Sequence, residues 1–207
     1  MPESLAEQAA AGGSIGSLLL ASLAVMGSPG PTTMSLVATG SAFGMRRCLP
    51  YLTGVVLGTT AVLVAVATGL TAALLAVPAI GSVLTVGAVV YILWLAFHIA
   101  TAAPLSEQPA AASLPSLTGG VFLGLANPKA WLAIAAVFAS ARSTPDAGAD
   151  AAAKLLLLTA MIVAIHLGWL LIGASITPVL RGGRWSRVIN VTLAAALVVA
   201  TVLAVLP

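Results

Sequence analysis

The sequence predicts an all-α integral membrane protein with six transmembrane helices arranged as two inverted three-helix repeats. Three observations predict it. The 207 residues are 60% hydrophobic and only 6% charged, whereas a soluble domain carries about a quarter charged residues. With a mean hydropathy of +1.15, there is too little polar surface to cover a water-soluble globule. The few charges are also clustered, with none between Glu7 and Arg46, between Arg47 and Glu107, or between Lys154 and Arg181. Apolar runs that long read as membrane spans of about 20 residues each, and uninterrupted runs fit helices rather than barrel strands. Finally, proline interrupts the first and the fourth apolar run at corresponding places, Pro29 and Pro128.

The spans are expected at residues 14–39, 49–77, 80–101, 117–140, 154–180 and 188–206. Glu3 and Glu7 precede the first, with no basic segment before it, so it reads as a permanent span rather than a cleaved signal. A connector over 41–50 holds Gly44, Arg46, Arg47 and Cys48, with Cys48 read as an incidental loop residue. One cysteine excludes an internal disulfide and a dithiol redox motif. The second span carries Gly54 and Gly58, a Gly-x-x-x-Gly face suited to close helix packing. A tight turn near Pro78 leads to the third, whose His98 reads as interfacial. The Ala/Pro/Ser-rich connector 102–115 holds Glu107, and the connector 141–153 holds Arg142, Asp146 and Asp150. His166 and Trp169 lie within the fifth span, and Arg181, Arg184 and Arg187 precede the sixth. Trp94, Trp131, Trp169 and Trp185 read as packing or interfacial anchors.

One membrane domain over 1–207 accounts for the chain. Laying Pro128 over Pro29 superposes repeat 2 (about 117–206) on repeat 1 (about 14–101). Each half has an odd number of spans, so the second enters from the opposite side, a common transporter plan. With both termini periplasmic, Arg46, Arg47, Arg181, Arg184 and Arg187 fall on the cytoplasmic side, and only Arg142 and Lys154 on the other. The positive-inside rule requires that direction. The net charge of +3 is then a topology signal. Without a basic run interleaved with aromatics, no nucleic-acid partner is expected.

The chemistry concentrates at the two breaks. In Gly27-Ser28-Pro29-Gly30-Pro31-Thr32-Thr33 each proline removes a backbone donor and clashes with the preceding turn, so the helix must kink or unwind. Freed backbone groups at membrane depth are tolerated only where protein buries them or a wet cavity reaches them. The second break is Asn127-Pro128-Lys129. Lys129 is the one charge deep inside a predicted span, where insertion scales put the cost at roughly 2.5–3.5 kcal/mol. It should therefore face the bundle interior. A simple proline kink at the first break, and a lysine tying up loose carbonyls at the second, are the structural alternatives.

Together these motifs resemble the LysE/RhtB family of amino-acid exporters. Gly44-Met45-Arg46 with Gly54 and Gly58, and Gly87 with Tyr91-Ile92-Leu93, are similar to that family's loop and third-helix patterns. The chain departs from the family at Thr85, where a lysine is usual, at Trp131-Leu132, where a phenylalanine pair is frequent, and at Phe138-Ala139-Ser140, where Pro-Gln-Phe is expected. The resemblance implies a secondary exporter without cofactors in a bacterial-type inner membrane.

On this reading Ser28, Pro29, Gly30, Pro31, Thr32, Asn127, Pro128 and Lys129 line one substrate site near the bilayer midplane. Half-helix amides and Lys129 would attract a carboxylate, while unwound carbonyls with Ser28 or Asn127 would receive an ammonium. Glu3, Glu7, Glu107, Asp146 and Asp150 are all expected in termini or loops, which leaves no carboxylate for a cationic side chain or a metal. A neutral amino acid or homoserine-like compound is therefore preferred over basic amino acids or metal cations. His166 is the candidate for a coupling proton. A homo-oligomer is compatible with the sequence. The rivals are a structural or accessory subunit, an enzyme and a passive channel. No nucleophile–base pair, metal cluster or phosphate loop favours the enzyme, and no continuous polar stripe favours the channel.

Overall fold

A computed structural model describes residues 15–69, 78–103, 115–139, 146–176 and 183–205. All regular structure there is helical: α1 Ile15–Met26, α2 Pro31–Phe43, α3 Met45–Ala67, α4 Pro78–Ala100, α5 Leu117–Ala126, α6 Pro128–Phe138, α7 Ala147–Ile176 and α8 Gly183–Val205. Among the described residues four helices are long and apolar enough to cross a membrane. Two bent pairs, α1 with α2 at 67° and α5 with α6 at 60°, make six if each pair is one span. The expected breaks at Pro29 and Pro128 are therefore real. Both downstream half-helices start with proline in the first turn, where its missing N–H costs nothing and its fixed φ suits the helix.

The outer faces are what a bilayer requires. Val83, Val90 and Phe97 of α4, Leu156 of α7 and Leu203 of α8 are 62–75% exposed, a pattern that would aggregate in water and is favourable in lipid. Inside, the tightest packing joins α3 to α5. Gly54 and Gly58 face Gly120 and Gly124 across this interface, and a Cβ at Gly124 would lie 2.8 Å from both the Thr59 nitrogen and the Val55 carbonyl oxygen. A Cβ at Gly54 would collide with the Leu117 carbonyl, and one at Gly120 with the Tyr51 carbonyl. The close packing expected of Gly54 and Gly58 is present, answered by a second glycine pair on α5. Against α7, α2 packs in the same way, with Gly173 under the Val37 carbonyl.

Several expectations need correction. Residues 41–50 are not a loop: α2 and α3 meet at the single residue Gly44, whose φ of 78° lies in the region glycine reaches without strain. Cys48 is accordingly not a loop residue. It is buried in α3 and its Sγ donates to the Thr39 carbonyl at 3.3 Å. The fifth span starts at Ala147 rather than 154, because the Asp146 side chain accepts from the Ala149 N–H at 2.7 Å and caps the helix. This places Asp150 in a helix, 7% exposed and 3.0 Å from the Lys154 ammonium. The expectation that every acid lies in a terminus or loop fails there. Lys154 also donates to the Phe138 carbonyl at 3.0 Å, a cation meeting the C-terminal end of α6. The second span starts at Met45 and its helix runs to Ala67. Glu3, Glu7, Glu107, Arg142 and Arg181 lie outside the described residues, as does the turn before Pro78.

Candidate functional site

Unwinding at residues 27–30 frees backbone groups that must be satisfied inside the bundle. Part of the supply is local. The Gly30 N–H donates to Thr33 Oγ1 at 2.8 Å, and the Ser28 hydroxyl donates back to the Val25 carbonyl at 2.9 Å. The rest comes from the second half of the chain. Trp169 Nε1 of α7 donates to the Gly27 carbonyl at 3.1 Å. The Lys129 ammonium donates to the carbonyls of Ser28 and Pro29, the latter at 3.0 Å. At the other break, Asn127 caps α6 by accepting from the Lys129 N–H at 3.1 Å, and Trp131 Nε1 donates to the Leu125 carbonyl at 2.7 Å. Asn127 Nδ2 then crosses to Thr32 Oγ1 at 3.2 Å, so side chains from each break hold the other.

Close approach is possible because position 30 has no side chain. A Cβ there would lie 2.7 Å from Lys129 Cδ and 3.0 Å from Nζ. Behind it, α2 is braced by Tyr51, whose hydroxyl donates to Ser35 Oγ at 3.0 Å, while Ser35 donates to the Thr32 carbonyl at 2.7 Å.

Between the breaks lies a cavity of about 20 Å³, room for about one water. Thr32, Thr33, Thr59, Asn127, Lys129 and His166 supply its polar lining. His166 is 5% exposed, with Nδ1 2.7 Å from the Ile162 carbonyl. A carbonyl only accepts, so in this geometry Nδ1 carries a proton, and in the neutral ring Nε2 is left with a lone pair. Thr59 Oγ1 is buried without a partner among the described residues. The N-termini of α2 and α6 both start at the breaks, so two positive helix ends and an ammonium meet here. Such a field favours an anionic group.

The structure thus brings together Gly30, Thr32, Asn127 and Lys129, with Pro31 buried beside them and Pro29 exposed. Ser28 contributes its carbonyl rather than its hydroxyl, and that carbonyl meets Lys129. Sequence reasoning missed Thr59 as a lining residue, although a Thr59-Thr60 pair in an apolar run was a signal. It also gave Trp131 and Trp169 no role beyond packing or anchoring, and both in fact bond to freed carbonyls. His98, expected at an interface, sits in the last turn of α4, its ring tilted 40° against that of Trp94 with centroids 4.1 Å apart.

A family model described as LysE type translocator matches residues 17–206. No curated protein and no solved structure matches the chain.

Proposed function

The chain belongs to the LysE type translocator family, and from that premise we infer that it is a secondary transporter exporting a small zwitterion by alternating access. The family match and the apolar helices make it a multi-pass membrane protein with a translocator's role. The finer reading is a neutral amino acid or homoserine-like compound carried out across a bacterial inner membrane. Each bent pair is taken as one span, the two halves as inverted repeats, and both termini as periplasmic.

The observation that carries the reading is the meeting of Lys129 with the Ser28 and Pro29 carbonyls, 101 and 100 residues away. Two broken helices here share one charge and two converging N-termini, a site suited to a carboxylate, while the unwound carbonyls suit an ammonium. Because the polar cavity has room for about one water, substrate entry requires the two breaks to separate, as a rocking of one repeat against the other provides.

Asp150 does not change the preference for an uncharged side chain. Its carboxylate is already paired with Lys154, which reaches the Phe138 carbonyl at the far end of α6. That end lies about 14 Å along the helix from Lys129 at 1.5 Å per residue. His166 is the proposed proton carrier for coupling.

The test is efflux of labelled amino acids from vesicles holding the purified protein, with substrate binding and thermal stability measured on the same preparation. Lys129→Ala should abolish export and binding in a protein that still inserts. Lys129→Arg should also be impaired, since a planar guanidinium does not replace a compact ammonium in a close-packed site. A stable Lys129→Ala protein that binds and exports normally refutes the assignment.

A further inference from the structure

Three polar groups around the cavity between the breaks have bonding capacity that the fold does not use. A threonine hydroxyl in a membrane helix ordinarily donates to the carbonyl one turn back. Thr39, Thr53, Thr68, Thr101, Thr192 and Thr201 all do so, each to the carbonyl four residues upstream. Thr59 of α3 does not. It is 3% exposed, it lines the cavity, and its Oγ1 has no partner among the described residues. Thr60 departs in the same way but lines no part of the cavity. A buried hydroxyl with nothing to bond is costly, so Thr59 points to a guest. His166 of α7 is the second group. Its Nδ1 is taken by the Ile162 carbonyl, which leaves Nε2 for any further bond. Lys129 of α6 is the third. An ammonium has three protons, and the Ser28 and Pro29 carbonyls take two of them.

These partners, one from each of three helices, fix the guest's chemistry. It must accept from Lys129 and Thr59 and donate to the neutral His166 ring. A carboxylate oxygen or a halide accepts but has no proton for Nε2, and a metal cation would lie against an ammonium. Water does both, and the cavity of about 20 Å³ has room for about one, with the polar partners a buried water needs. We propose that one resident water joins Thr59, Lys129 and His166 Nε2 and carries the coupling proton to and from His166, with Thr59 as the positioning residue that holds it. This rests on His166 as the proton carrier. A proton arriving on that water as hydronium passes to Nε2 and leaves water and an imidazolium; the reverse step discharges it. No side chain competes for the role. Helices α1 and α2 carry no ionisable residue, those of α3 end at Tyr51, and α6 contributes Lys129 alone, whose ammonium has no lone pair to take a proton.

The experiment measures amino-acid efflux from vesicles holding the full-length protein, uphill under a pH gradient and downhill without one. Thr59→Val keeps the side chain's shape and removes its hydroxyl. The ratio of pH-driven to downhill efflux should fall about tenfold, the upper worth of one hydrogen bond, with the melting temperature in detergent unchanged. Thr59→Ser keeps the hydroxyl and should restore the ratio. Nitrogen NMR of the histidine-labelled protein gives an independent readout, with His166→Gln identifying the resonance. In neutral wild type, His166 Nε2 should carry the shift of a hydrogen-bonded acceptor, and in Thr59→Val it should move toward that of a free lone pair. An unchanged ratio in Thr59→Val, no restoration by Thr59→Ser, or a free lone pair in wild type overturns the proposal, the last even where Thr59→Val fails to fold. The His166→Gln variant keeps the two readings apart. If it uncouples efflux and Thr59→Val does not, the water alone fails; if it leaves the pH dependence unchanged, both fail.

Discussion

Gly30→Ala separates the transport role of Lys129 from its role in holding the fold. The backbone at Gly30 is extended, with φ −170° and ψ −179°, so alanine adopts it. The added methyl would sit 2.7 Å from Lys129 Cδ and 3.0 Å from Nζ. Carbon atoms settle at about 3.5–4.0 Å, so the lysine stem must withdraw by on the order of 1 Å. The Pro29 contact, 3.0 Å in the native geometry, then stretches beyond about 3.2 Å, the limit of a good N–H···O bond. The clash is with a flexible side chain and not with backbone, so the ammonium can rotate and keep one carbonyl. Alanine also reduces the freedom of the unfolded chain, which is worth about 0.4–1 kcal/mol in favour of the fold. Net stability should change by less than about 1.5 kcal/mol, the low end for a hydrogen bond to a charged group. Transport should suffer more, because a 1 Å misplacement of a positioning group costs on the order of a hundredfold. The assay pairs the melting temperature in detergent with initial efflux rates in vesicles. Unchanged efflux from a stable protein would refute the claim that this approach sets the site. A fall in efflux matched by a comparable loss of stability would show that Lys129 serves the fold.

Other perturbations reach different parts of the molecule. Gly120→Leu should destabilise the protein by about 1–3 kcal/mol or more through overpacking, since its Cβ would collide with the Tyr51 carbonyl across the α3–α5 interface. A melting temperature within a degree of wild type would contradict that packing. Asp150→Asn leaves the Lys154 charge buried without its 3.0 Å partner and should cost about 3–5 kcal/mol. Adding Lys154→Met should recover part of the loss, and a double variant as unstable as the single one would argue against the pair. His166→Gln should abolish the pH dependence of uphill efflux while leaving downhill exchange intact. Unchanged pH dependence would remove His166 from coupling.

What could be read from the sequence follows from which residues constrain the backbone on their own. Pro29, Pro31 and Pro128 cannot continue a helix hydrogen-bond ladder, so both breaks were visible without any tertiary information. Hydropathy alone misplaced the start of α7. It began the span at Lys154 and left the charged Asp150 outside it, whereas Asp146 carries the local signal, an N-cap side chain before Ala147-Gly148-Ala149. Arg46 and Arg47 misled in the same way, since they occupy the first turn of α3 and one glycine suffices for the reversal. The glycine pair on α5 was as visible as the pair on α3, but its meaning lies in the two facing each other. Trp131 and Trp169 were opaque for a stronger reason. Trp169 meets a carbonyl 142 residues away, and nothing local in an indole says which backbone group it will satisfy.

That opacity bears on the site itself. A freed carbonyl at membrane depth must find a donor, and the fold draws one from the opposite half of the chain for Gly27 from Trp169 and for Ser28 and Pro29 from Lys129. The first break is thus stable only while the second half is docked on it. In the proposed cycle, any ligand group that draws Lys129 away removes the donor of the Pro29 carbonyl and leaves the Ser28 carbonyl only the 3.5 Å contact from Thr33 Oγ1, and a substrate ammonium is a ready replacement. The carboxylate of one zwitterion would then take the Lys129 ammonium while its own ammonium took the carbonyls that Lys129 had held. On this view, a carboxylate lacking the ammonium should bind yet fail to be exported, and propionate set against alanine in the same vesicles would show whether the exchange of donors is what moves the helices.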